Sequence, residues 1–222
     1  MALPPRLYLI TDRHATGGRA LVDVVTAAMR GVATSGFAPH RVAVQLREKD
    51  LSGRALTELA RALRAVTSAA GVALYVNDRI DVALAVGADG VHLGGASLEI
   101  TSVARIAGVA DRLALAVSAH APAEIAALRA AAGDRIAFAL LGPIRDTPSK
   151  RAFGAPLGTA AITDAARTGV PIVAVGGIGP THVDETLAAG AHGIACIRAV
   201  MAAPDPAGAV VTFCQELTAF RQ

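Results

Sequence analysis

Tryptophan is absent from this 222-residue chain, and aromatic residues make up only 3% of it. So few rings exclude a stacking platform for single-stranded nucleic acid. Cysteine occurs twice, at Cys196 and Cys214, with no CxxC or Cys/His spacing around either. That excludes a zinc ribbon and a disulfide framework, and points to the cytoplasm. Lysine is nearly absent and arginine is scattered, so the net charge of +3 and pI near 9.3 come without a dense basic run. Nucleic acid is therefore not an expected partner. The opening Met1-Ala2-Leu3-Pro4-Pro5-Arg6 leads straight into a short apolar strand. It has the form of neither a signal peptide nor a membrane span, and a membrane is not an expected partner either.

What the chain does have is aliphatic residues: 53% of it is hydrophobic. Ala, Val, Leu and Ile must do the packing. They fall in short apolar runs that alternate with Ala-rich stretches of helical spacing. Strands are predicted at Arg6–Thr11, Val42–Arg47, Val72–Asn77, Gly90–Leu93, Leu113–Ser118, Ile136–Leu141, Ile172–Val175 and Gly193–Cys196. Helices are predicted at Leu21–Gly36, Ser52–Ala70, Asp81–Val86, Glu99–Ala107, Pro122–Ala132, Thr159–Thr168, Pro180–Ala189 and Asp205–Phe220, with Ser52 in N-cap position. Strands that are apolar throughout are buried on both faces, which means a parallel sheet. An open doubly wound sheet would carry a switch-point signature, and no GxGxxG follows the first strand. Eight βα units in 222 residues, with polar residues at most strand C-termini, predict a single (β/α)8 TIM barrel spanning residues 1–222, with its site at the C-terminal face.

Several segments at that face carry chemistry. Gln45, Arg47 and Lys49 alternate at the end of the second strand, so an extended chain aims all three inward. Two cations facing a barrel mouth call for an anion, with Arg offering a planar fork and Lys a compact charge. Asn77-Asp78 ends the third strand, an amide and a carboxylate suited to Mg²⁺ that carries phosphate. A helix N-cap is the other role open to Asp78. Ser118 and His120 share a face after the fifth strand, and a histidine there can act as acid or base. His92, within the fourth strand, reads as structural. The Gly/Pro-punctuated segment after the sixth strand carries Thr147, Ser149 and Lys150, a hydrogen-bond cradle for phosphate. Gly176-Gly177 after the seventh strand and Ile197-Arg198 after the eighth occupy the usual phosphate site of such barrels. These residues imply two anion sites, filled by a diphosphate donor and a phosphorylated acceptor. The expected partners are thus small phosphorylated molecules, with a homo-oligomer left open.

The order of these motifs resembles the thiamine phosphate synthase family, which includes the thiazole tautomerases. The matching segments are Tyr8-Leu9-Ile10-Thr11-Asp12, Gln45-Leu46-Arg47-Glu48-Lys49, Asn77-Asp78-Arg79 with Asp81-Val82-Ala83-Leu84-Ala85, Gly87-Ala88-Asp89-Gly90-Val91-His92-Leu93-Gly94, Ser118-Ala119-His120, Gly142-Pro143, Thr147-Pro148-Ser149-Lys150, Gly176-Gly177-Ile178 and Gly190-Ala191-His192-Gly193-Ile194-Ala195. The resemblance implies a transferase of thiamine biosynthesis that joins aminopyrimidine-methyl diphosphate to thiazole phosphate and releases pyrophosphate. It implies Arg47, Lys49, Asn77, Ser118 and Lys150 on the diphosphate, Gln45 near the pyrimidine and Mg²⁺ on Asp78. Thr147, Ser149, Gly177 and the backbone at Ile197-Arg198 would then serve the thiazole phosphate. Synthases of this family usually carry a second Mg²⁺ carboxylate where this chain has Ser97. That departure, with His120, keeps two alternatives open: a metal-independent tautomerase and a non-catalytic barrel that binds thiamine precursors.

Overall fold

The computed structural model describes residues 3–106, 109–146 and 155–220. Eight parallel strands close into a barrel in sequence order. They are β1 (Leu7–Ile10), β2 (Val42–Leu46), β3 (Ala73–Asn77), β4 (Gly90–Leu93), β5 (Ala114–Ala119), β6 (Ile136–Leu141), β7 (Ile172–Val175) and β8 (Gly193–Cys196). Between and after them run α1 (Leu21–Ser35), α2 (Gly53–Ala69), α3 (Ile80–Val86), α4 (Ile100–Val103), α5 (Val109–Arg112), α6 (Pro122–Ala132), α7 (Ala160–Ala166), α8 (Val183–Ala188), α9 (Arg198–Met201) and α10 (Pro206–Ala219). The (β/α)8 barrel expected from the sequence is the fold observed. Ser52 caps α2 as expected, its hydroxyl accepting from the Ala55 amide at 3.3 Å. The helix expected at Glu99–Ala107 is reduced to the single turn of α4, and that at Pro180–Ala189 opens as a 3₁₀ turn, Pro180–His182, before α8. The short helix α9, which intervenes between β8 and α10, is not among the expected elements.

The strands alternate between two apolar cores. Outward residues such as Leu7, Leu9, Val42, Val44, Leu74, Val91, Leu115, Leu141 and Ile194 pack beneath the helices. Inward residues fill the barrel: Tyr8, Ile10, Ala43, Tyr75, Ala114, Ala116, Phe138, Leu140, Val173 and Ala195. Both tyrosines and one of the five phenylalanines lie in this interior. Tyr8, Tyr75 and Phe138 meet edge to face with ring centroids 5.2 to 5.7 Å apart, while alanine and glycine on neighbouring strands leave room for them. A methyl group at Gly90 would overlap the Tyr75 ring and lie 2.7 Å from the Ala114 carbonyl. Large and small residues therefore interlock across the barrel, as close packing demands. Above this plug the inward positions turn polar, at Gln45, Asn77, His92 and Ser118.

Candidate active site at the barrel mouth

A pocket of about 760 Å³ opens at the C-terminal ends of the strands, within the size range of small-molecule sites. It gathers Gln45, Arg47, Asn77, Ser118, His120, Gly177, Ile197 and Arg198 from β2, β3, β5 and the segments after β7 and β8. A smaller recess of about 340 Å³ adjoins it through Asn77 and is lined by Lys49, Asp78 and Ser97. The expected residues Thr147, Ser149 and Lys150 lie outside the described residues.

The β2 side is organised by a carboxylate. Glu48 is buried, and it accepts from the Thr11 hydroxyl at 2.7 Å and from the Arg13 amide at 3.1 and 3.2 Å. The Arg13 guanidinium pairs with both Glu48 and Asp50. Thr11 in turn accepts from the Arg47 amide at 2.9 Å. The ends of β1 and β2 are thus stitched together directly beneath Arg47. Arg47 has no carboxylate partner among the described residues, although it is half-buried at the pocket wall. Arg198, across β1 on the β8 side, is likewise unpaired there. By contrast Arg64, Arg79, Arg129, Arg145 and Arg167 all hold carboxylates. Cations left unpaired at a concave wall are a binding surface for anions.

Beside Arg47, Gln45 is 1% exposed. Its amide nitrogen donates to Asn77 Oδ1 at 3.4 Å. Its carbonyl oxygen is buried with no partner among the described residues. An orphaned acceptor lining a pocket is built to receive a ligand's N–H, because leaving it unpaired costs about 1–3 kcal/mol.

Three expectations are corrected. The alternation of Gln45, Arg47 and Lys49 does not persist to its third member. β2 ends at Leu46, the chain turns where Glu48 is drawn into its contacts with Thr11 and Arg13, and Lys49 emerges exposed into the smaller recess. Asp78 does not cap α3: the N-cap is Arg79 and no side chain bonds the first amides. Asp78 instead adopts a left-handed backbone, φ 65°, and its exposed carboxylate has no hydrogen bond or ion pair among the described residues. His92 is more than a structural histidine. It lines the main pocket, bonded to Ser118 Oγ at 2.8 Å and to the Tyr8 hydroxyl at 3.3 Å. Burial, and then the charge of Arg47, push its pKa down to about 3, so the ring is neutral.

His120 stands exposed at the end of β5 with Nδ1 donating to the Gly142 carbonyl at 2.7 Å. Its Nε2 is left as the atom available to a ligand. His182, which the sequence reading passed over, also lines the pocket and accepts the Gly179 amide at Nδ1, 3.0 Å. Gly176 and Gly177 have φ of 100° and 67°. A methyl group on Gly177 would stand 2.7 Å from the Asp146 carbonyl, and one on Gly176 2.7 Å from Pro143. Only glycine lets the segments after β6 and β7 pass this closely. Ser97 closes its own turn, its hydroxyl accepting the Gly94 amide at 2.8 Å.

Comparison with known proteins agrees with this geometry. A family model described as thiamine monophosphate synthase matches residues 7–200. A relative from Geobacter sulfurreducens is 45% identical over 90% of this chain and 88% of its own. A thiamine-phosphate synthase from Roseiflexus castenholzii is 42% identical over 94% of this chain and 86% of its own. Among solved structures, thiamine phosphate pyrophosphorylase from Pyrococcus furiosus superposes with a TM-score of 0.81 at 30% identity, covering 96% of this chain and 95% of that one. Matched along nearly its whole barrel, the chain belongs to the thiamine monophosphate synthase family.

Proposed function

We propose that this chain is a thiamine-phosphate synthase, a transferase that condenses 4-amino-2-methyl-5-pyrimidinylmethyl diphosphate with thiazole phosphate and releases pyrophosphate. The observation that carries the reading is that one pocket holds Arg47 on its β2 side and Arg198 beside the Gly176-Gly177 backbone on its β7–β8 side, neither with a carboxylate partner among the described residues. Two anionic substrates can therefore be held together with their uncharged parts between them.

In this reading Arg47 and Lys49 take the diphosphate, with Asn77, Ser118 and Lys150. The orphaned Gln45 carbonyl accepts from the amino group of the pyrimidine. Thr147, Ser149, Gly177, Ile197 and Arg198 serve the thiazole phosphate. The carbon–oxygen bond to the diphosphate breaks with its electron pair leaving on pyrophosphate, and the thiazole nitrogen supplies the pair for the new carbon–nitrogen bond. Arg47 and Lys49 favour this step by neutralising charge that grows on the leaving oxygen. Ile10, Leu140, Pro143 and Val175 line the pocket between the polar groups, which limits water as a competing nucleophile.

The smaller recess suits Mg²⁺. Asp78 presents a carboxylate with no hydrogen bond or ion pair among the described residues, with Asn77 beside it, and Mg²⁺ takes one or two carboxylates with phosphate oxygens and water completing its shell. Asp78 and Asn77 would hold the ion, which when bound would add positive charge against the leaving pyrophosphate. We place the enzyme in the cytoplasm, on the two buried free cysteines Cys196 and Cys214.

A coupled assay for pyrophosphate tests the proposal. Release should require both substrates and Mg²⁺, and Arg47→Ala and Lys150→Ala should each lower kcat/KM by about a hundredfold or more. Absence of turnover with saturating substrates and Mg²⁺ would overturn it, as would proton exchange on the thiazole phosphate carboxylate without metal.

A further inference from the structure

At the floor of the pocket a chain of three hydrogen-bonding side chains descends into the barrel plug. Ser118 Oγ meets His92 Nε2 at 2.8 Å, and His92 Nδ1 meets the Tyr8 hydroxyl at 3.3 Å. The Tyr8 and His92 rings lie stacked, with centroids 5.8 Å apart and planes inclined by 26°. Tyr8 is 0% exposed and His92 1%, so neither is bathed by bulk solvent.

The direction of each bond follows from counting hydrogens. A neutral imidazole carries one N–H, so one ring nitrogen donates and the other accepts. If Nδ1 held the hydrogen, it would donate to the Tyr8 oxygen. The phenolic hydrogen would then need another acceptor, and Tyr8 has none within hydrogen-bond distance among the described residues. A buried donor left unpaired weighs against that tautomer by about tenfold or more. With the hydrogen on Nε2, every group is satisfied: Tyr8 donates to Nδ1, and Nε2–H donates to Ser118 Oγ. The hydrogen of Ser118 is then not taken up by any of the described residues.

We propose that Tyr8 and His92 fix the polarity of Ser118, occupying one of its lone pairs so that its hydroxyl hydrogen is offered to the pocket ligand. The ligand atom favoured there offers a lone pair, such as a diphosphate oxygen, because an N–H at the same place would leave that hydrogen unpaired. Tyr8, which does not line the pocket, is a positioning residue that acts through His92 and Ser118. The inference deepens the synthase reading and rests on it for the identity of the ligand, but the direction of the hydrogen bonds does not.

Two measurements test it. On the ligand-free protein with ¹⁵N-labelled histidine, long-range proton–nitrogen correlation should show His92 protonated at Nε2 and bare at Nδ1, with His92→Gln supplying the assignment. Protonation at Nδ1 would overturn the proposal. In steady-state kinetics, Ser118→Ala should lower kcat/KM by about ten- to a hundredfold, and Tyr8→Phe by a smaller factor. The double variant should be no worse than Ser118→Ala alone, because Tyr8 has no other route to the ligand. Multiplied losses in the double variant would show Tyr8 acting elsewhere and sink the assignment. The nitrogen spectrum needs no turnover: an inactive wild type would remove the synthase reading and leave the hydrogen-bond chain intact, whereas Nδ1 protonation with full turnover would do the reverse.

Discussion

Ser97 shows how one residue can retain a turn while weakening a site. Its hydroxyl accepts the Gly94 amide, a contact an aspartate carboxylate can also make, as a capping-box acid does when it reaches back to the amide three residues earlier. Ser97→Asp should therefore keep the turn and place a second carboxylate in the recess that holds Asp78. Divalent-ion affinity rises with the number of charged ligands, so the Mg²⁺ concentration for half-maximal turnover should fall by about tenfold. An unchanged Mg²⁺ titration would show that the recess is not the metal site. Single residues were also where sequence reading was most uneven. Lys49 and Lys150 are the chain's only lysines, and Arg47 stood out by its alternation with Gln45. His92 did not stand out, because a lone histidine inside an apolar strand looks like core. Its role depends on Tyr8 and Ser118, which are distant in sequence and meet it only once the barrel closes. His182 was missed for a different reason: its contact with nearby Gly179 is set by the turn that opens before α8.

At the scale of elements, the strands were legible because burial on both faces leaves uninterrupted apolar runs, and every strand falls within its predicted range except β5, which runs one residue further, to Ala119. The end of β2 was not, because it is decided by a contact across to β1. Glu48 accepts from the Thr11 hydroxyl and the Arg13 amide, and this brace fixes where the strand stops and how Arg47 is carried. Glu48→Gln keeps one acceptor oxygen for Thr11 and the Arg13 amide, but removes the negative charge and turns the other oxygen into a donor facing the Arg13 guanidinium. With the side chain only 2% exposed, stability should fall by on the order of 2 kcal/mol, and kcat/KM should fall alongside although Glu48 is absent from the main pocket. Urea denaturation and the pyrophosphate assay check the two parts. A stability loss with unaltered kinetics would show that Arg47 is positioned without the brace. Packing between strands gives a second case. Gly90→Ala would press a methyl group onto Tyr75 and the Ala114 carbonyl, and overpacking of this kind costs about 1–3 kcal/mol. Because Tyr75 belongs to the plug beneath the pocket, the variant should melt earlier while binding pyrophosphate as the wild type does.

For the whole molecule, the sign of the pH dependence follows from its buried histidines. Burial holds the His92 pKa down at about 3 and lowers that of His192, whose Nε2 donates to the Pro4 carbonyl. In the unfolded chain both rings return to the ordinary value near 6.5. As pH falls through 6.5 the unfolded state takes up protons that the folded state refuses, so protonation favours unfolding. The stability is complete above about pH 6.5 and is eroded as pH drops toward 3, at up to roughly 1.4 kcal/mol per pH unit for His92 alone. Carboxylates paired in the fold, such as Asp50 with Arg13 and Asp81 with Arg79, have their pKa values lowered by those hydrogen bonds. They add a loss of the same sign, but only once the pH nears the ordinary carboxylate range around 4. The interval from pH 6.5 to 5 therefore isolates the histidines. Urea midpoints measured across it should fall with pH in the wild type and fall less steeply in His92→Gln, which has no ring to protonate in either state. Parallel slopes for the two proteins would mean that the barrel plug admits the charged imidazole, and that the interior around Tyr8 and Ser118 is wetter than its packing implies.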